Sequence, residues 1–220
     1  MNTTTHIDRI ALLGAVGVAL LALILAAMHA IQPELNPVED FVSEYAYGPL
    51  GWLIMVGYSA AGIGTALIAW RLLSLTGSGR WTIVSAVALL AVAAGLVATG
   101  LTRIDLSGSD GTVVSTTSGQ LHELVGYVAV FGLIAAALAI PAAFRRNTTI
   151  SEHAAALRLY GWILVAAFIG SVLAQPLGVP GLGQRVFLGV SLSWLVFVGI
   201  ALSGVSREWR AGRVARRMSR

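Results

Sequence analysis

The chain has 220 residues, 57% of them hydrophobic and only 11% charged, against roughly a quarter charged in a soluble domain, so an ordinary water-soluble fold is excluded and a bilayer is the expected solvent. Its net charge of +4 is carried without a single lysine; the arginines flank apolar stretches, as a membrane topology signal does and a nucleic-acid surface does not. The absence of cysteine excludes disulfides, thiolate metal sites and cysteine nucleophiles.

Residues 1–9 read as a cytoplasmic tail. The apolar run 10–31 exceeds a signal-peptide core of roughly 7–15 residues, so it reads as a retained first span. Five further runs reach the length of about 20 residues that a bilayer core demands: 50–73, 81–101, 121–144, 157–173 and 186–205. The expected fold is therefore all-α, an integral membrane six-helix bundle over 10–205 followed by a basic cytoplasmic tail at 206–220. Twelve arginines fall on the side of the termini, and only Arg103 and Arg185 fall on the other, which predicts a multi-pass cell-membrane protein with both termini inside. Small residues recur at four-residue spacing in Ala60/Gly64, Gly62/Ala66 and Ala91/Gly95, the pattern of close helix packing in lipid.

Between the first two spans, Asn36, Pro37 and Glu39 have the form of an N-cap, a proline at the first helical position and a capping-box acid, so a short amphipathic helix is expected from Asn36. Its spacing places Val38, Phe41, Val42 and Tyr45 on one stripe and Asp40, Ser43, Glu44 and Tyr47 on the other. Gly48 and Pro49 end it. The second outer loop, 102–118, is rich in Gly, Ser and Thr, with Arg103 and Asp105 at one end and His122 just beyond the other. Gln175, Pro176 and Pro180 close the fifth span, and Gly181-Leu-Gly-Gln-Arg185 leads into the sixth.

Chemistry-bearing residues therefore gather at the outer helix mouths. His122 has two readings: an interfacial histidine bonded to Asp105 or a backbone carbonyl, or a general base or metal ligand. Ser43, His122 and Asp105 contain the residue types of a hydrolytic triad, although no nucleophile-elbow glycines surround Ser43. His29, His122 and Asp105 are the candidate ligands for a divalent metal. Asn36, Asp40, Glu44 and Arg185 are the candidate ligand-binding residues, with Arg185 expected to pair with a carboxylate of Asp40, Glu44 or Asp105. His6 and His153 read as ordinary surface residues.

His29 with Pro33, Asn36-Pro37, Asp40, Ser43-Glu44, Asp105, His122 and the Gly-Gln-Arg at 183–185 together resemble the prokaryotic membrane family catalogued as domain of unknown function 998, over nearly the whole chain. The resemblance implies six spans and an outward polar site, and no established reaction. A more distant similarity is to membrane hydrolases of the alkaline ceramidase type, which set Ser, Asp and three histidines around zinc. This sequence departs from that pattern, having no histidine after His153.

The expected function is a membrane protein whose outer cluster locks the bundle or binds a small polar ligand or lipid head group. The alternative is a metal-dependent or acid–base enzyme acting on outer-leaflet lipid. A transporter or channel requires a polar path, and the apolar middles of the spans argue against one.

Overall fold

The computed structural model describes residues 9–106, 112, 114–147 and 150–204; both predicted terminal tails lie almost wholly outside the described residues. Six helices are long and apolar enough to cross a membrane, and the described residues contain no strand. They are α1 (Arg9–Ile31), α2 (Trp52–Thr76), α3 (Arg80–Leu101), α4 (Thr117–Phe144), α5 (Ala154–Ala174) and α6 (Pro180–Gly204). Each packs on its neighbour in sequence, α6 returns to α1, and α2 also touches α6. The result is a closed ring. The α1–α2, α3–α4 and α5–α6 connections meet at one end of the ring, called distal here, opposite the end where the helical segment begins and finishes.

Lipid supplies no hydrophobic drive between helices, so contact depends on close backbone approach. A side chain built on Gly64 would stand 2.5 Å from the Gly14 carbonyl oxygen of α1, and one on Gly62 would stand 2.7 Å from the Ala93 carbonyl oxygen of α3. Gly95 meets Val125 and Ala129 of α4 in the same way. The four-residue spacing therefore marks real helix crossings. Trp194, Met28, Leu21, Ile68, Leu89 and Leu164 fill the interior, while Leu13, Leu23, Val87 and Trp162 stand exposed, as side chains solvated by lipid do.

Three interior hydroxyls are satisfied within their own helices: Thr65 donates to the Ala61 carbonyl at 2.8 Å, Ser85 to Trp81 and Ser191 to Phe187, both at 2.7 Å. Pro141 lies inside α4 and has no N–H to give the carbonyl of Ala137. The α5 helix crosses there on Gly161, whose missing side chain would come within 2.9 Å of that carbonyl oxygen.

The first distal loop departs from its expected form. Asn36 makes only a single turn: its side-chain oxygen accepts the Val38 N–H at 3.0 Å, and its backbone carbonyl accepts that of Asp40 at 2.8 Å. The helix begins at Val42 and runs to Tyr47 as a tight 3₁₀ helix. Glu44, rather than Glu39, reaches back to a preceding N–H, that of Phe41 at 2.9 Å. The tighter winding turns Ser43 inward with Val42 and Tyr45, so Ser43 is 5% exposed and not on the solvent stripe. Gln32, 1% exposed, staples this segment to α1 by donating to the carbonyls of Tyr45 at 2.9 Å and Pro49 at 2.8 Å.

Candidate functional site

Two polar clusters form at the distal end, one on each side of the 3₁₀ helix. The first centres on Arg185. α6 starts at Pro180, a position where a backbone N–H would have no partner within the helix and its lack in proline costs nothing, and Arg185 stands on its second turn. Its Nε donates to Nε2 of His29 at 2.9 Å, one Nη donates to the carbonyls of Asp40 at 2.6 Å and Gly181 at 3.1 Å, and the other donates to the Tyr45 hydroxyl at 3.2 Å. Since Arg185 must donate, His29 accepts through Nε2 and carries its proton on Nδ1, which donates to the Leu25 carbonyl at 2.7 Å. The guanidinium also lies 5.7 Å from the centroid of the Tyr45 ring. Beside it, the side-chain oxygen of Gln184 accepts the Val42 N–H at 2.7 Å, and Leu182 donates its N–H to the Val38 carbonyl at 3.0 Å.

Arg185 therefore grips backbone where a carboxylate was expected. The Leu182–Val38 bond draws the 38–40 segment onto the start of α6 and presents the Asp40 carbonyl. The Asp40 carboxylate turns away to take the Asn36 N–H at 2.7 Å. Gly181 makes this approach possible, because a side chain there would come within 2.4 Å of the Asp40 carbonyl oxygen. Glu44 is raised above the usual carboxylate range, chiefly by burial and also by the charge of Asp40, against the lowering effects of the Phe41 N–H and Arg185.

The second cluster surrounds a cavity of about 30 Å³ between the 3₁₀ helix, α2, α3 and the start of α4. Its polar walls are Ser43, Tyr58, Thr99, Thr102, Arg103 and His122, with Ile54 and Met55 on the apolar side. This is room for at least one water or a small hydroxyl-bearing group. Nδ1 of His122 lies 3.3 Å from the Thr102 hydroxyl and 3.2 Å from its carbonyl, so a carbonyl rather than Asp105 orients the ring. The Thr99 hydroxyl is buried and has no hydrogen-bond partner among the described residues. A buried hydroxyl left in that state costs about 1–3 kcal/mol, unlike its back-bonded counterparts Thr65, Ser85 and Ser191.

Asp105 stands apart from the cavity walls. Its two oxygens accept the Thr116 N–H at 2.8 Å and the Thr116 hydroxyl at 2.6 Å, and Thr116 in turn caps α4 by accepting the Gly119 N–H at 3.1 Å. The Thr116 hydroxyl, then its N–H, holds the Asp105 carboxyl below the usual range. A lowered native pKa means stability that is present above the ordinary carboxylate value of 3.8 and lost as pH falls through the native value. Thr116→Val should therefore lower the melting temperature by a few degrees at neutral pH, and the gap from wild type should narrow below pH 3.8. Thermal unfolding across that acid range checks it.

The sequence-predicted residues thus separate. Ser43 and His122 share the cavity; His29, Tyr45, Arg185 and the Asp40 backbone share the clasp, with Glu44 nearby; Asn36 and Asp105 hold local turns. His29 and His122 belong to different clusters, and the described residues contain no group of three His, Asp or Glu side chains arranged to hold a metal. Tyr58, Thr99, Thr102 and Arg103 are polar cavity residues that sequence reasoning missed. Arg103 and Thr102 adjoin Asp105 in the sequence and were within reach of it, whereas nothing in the sequence distinguishes Thr99 from a back-bonded span hydroxyl.

Neither the curated proteins nor the solved structures contain a match to this chain. The family described as protein of unknown function (DUF998) matches residues 15–201, which takes in all or most of each of the six spans, the Arg185 clasp and every wall of the cavity. The chain belongs to that family, as a multi-pass helical membrane protein.

Proposed function

We propose that this protein resides in the cell membrane with its termini in the cytoplasm and binds a polar ligand group, that of a lipid head group or a small molecule, in the cavity beside His122. The observation that carries the reading is the Thr99 hydroxyl, buried and without a partner among the described residues, on a residue that lines the cavity. A ligand hydroxyl supplies what Thr99 lacks, and Ser43, Tyr58 and His122 line the same small space. The Arg185 cluster has the opposite character: all three guanidinium nitrogens are engaged within the protein, which suits a clasp. Binding rather than hydrolysis is favoured because Asp105, the acid a Ser43–His122 pair would use, commits both oxygens to Thr116.

Thr99→Val is the decisive variant, being nearly isosteric while removing only the hydroxyl. It should leave thermal stability unchanged or raise it by up to about 1 kcal/mol, and it should abolish lipid or small-molecule retention by protein purified in a neutral maltoside detergent. Native mass spectrometry reads the retained mass. Equal retention by wild type, Thr99→Val and His122→Ala would overturn the reading.

A further inference from the structure

The cavity has room for one small polar group, so the rest of any ligand must lie at its mouth, where Arg103 stands. Arg103 follows the end of α3 by two residues. Its backbone is pinned to the first turn of α4: its N–H donates to the Ser118 hydroxyl oxygen at 3.1 Å, and its carbonyl accepts from that hydroxyl at 3.3 Å. One face of its guanidinium rests 5.4 Å from the centroid of the Tyr47 ring, and Tyr47 is itself held by donating to the Ile104 carbonyl. Among the described residues the Arg103 side chain makes no hydrogen bond and no ion pair, so none of them occupies its N–H donors. Arg185, the other described arginine at the distal end, has a partner on each of its guanidinium nitrogens.

Resting on the cavity reading above, we propose that the ligand is a phosphoester of a polyol: Arg103 takes the phosphate at the mouth, and a ligand hydroxyl enters the cavity to meet Thr99 and His122. A planar guanidinium presents parallel N–H donors that fit two phosphate oxygens, and stacking on Tyr47 holds it at low entropic cost. The surroundings point to a lipid as the source. Leu101, which lines the cavity, is 66% exposed, an apolar surface on which an acyl chain can lie.

The test titrates dihexanoyl phosphatidylglycerol, dihexanoylglycerol and glycerol 3-phosphate into the full-length protein in maltoside, with affinities read by native mass spectrometry. Arg103→Gln should weaken phosphatidylglycerol about tenfold to a hundredfold, as expected for loss of a charge-assisted contact, and leave dihexanoylglycerol unchanged. Thr99→Val should weaken both. If Arg103→Gln leaves phosphatidylglycerol binding intact while Thr99→Val weakens it, the phosphate assignment falls and the cavity reading stands; if Thr99→Val also has no effect, both fall. Glycerol 3-phosphate bound as tightly as the lipid, and equally sensitive to Arg103→Gln, would keep the phosphoester chemistry and identify its source as soluble. An unshifted circular dichroism melt for Arg103→Gln separates lost contact from lost fold.

Discussion

Arg185→Met is expected to lower unfolding free energy by roughly 2–4 kcal/mol, because the substitution strands several groups at once. Methionine keeps much of the length and apolar stem but has no donor. Nε2 of His29, the Asp40 carbonyl and the Tyr45 hydroxyl all lose their bonds to Arg185. Among the described hydrogen bonds, those of Gln184 and Leu182 then hold the 38–45 segment to α6, two elements distant in sequence. Arg185→Lys should be intermediate: one ammonium cannot reach a ring nitrogen, a carbonyl and a phenol in three directions. Chemical or thermal unfolding in detergent measures both variants. Arg185→Met with unchanged stability would show that the network contributes nothing to the fold. The same variant is expected to loosen ligand binding, because Ser43 and Ala46 of the clasped 3₁₀ helix form one wall of the cavity.

A second large effect is expected where α1 and α2 cross. Gly14, Gly17 and Gly64 bring the two backbones together: side chains built on them would lie 2.7 Å from the Gly64 carbonyl oxygen, 2.7 Å from the Ala60 carbonyl oxygen and 2.5 Å from the Gly14 carbonyl oxygen, respectively. These neighbours are backbone and cannot rotate away. Gly64→Val should force the helices apart and cost about 3 kcal/mol or more, above the usual 1–3 for an overpacked core, because the loss of contact spreads along the crossing. Gly126 of α4 is the matched control, since nothing lies within 4 Å of a side chain placed there. Gly126→Ala should be neutral or stabilising by up to about 1 kcal/mol through helix propensity. Similar losses in the two variants would mean that helix propensity, not interhelical clash, governs this protein.

Not every distal feature was equally legible in the sequence. Tyr45 and Val42 of the apolar stripe are buried, whereas Val38 of the same stripe is 38% exposed because it precedes the helix. Ser43, next to Val42, was placed on the wrong side, because the helix starts six residues later than Asn36 and winds more tightly. Asn36 and Glu39 carry a good local capping signal, yet the bonds from α6 to Val38, Asp40 and Val42 decide where the chain turns. Local propensity of a few tenths of a kcal/mol per residue yields to such tertiary contacts.

The sequence by itself determined the solvent, the six spans and the glycine faces on which the helices meet. These follow from run length, charge exclusion and four-residue spacing, which act along a single helix and need no partner to be read. Only the tertiary structure decided that Arg185 grips a backbone carbonyl and a histidine, that Asp105 serves a helix cap, and that Thr99 finds no partner among the described residues. Each of those outcomes depends on which groups the ring of helices brings within about 3 Å, a distance that spacing along the chain does not encode.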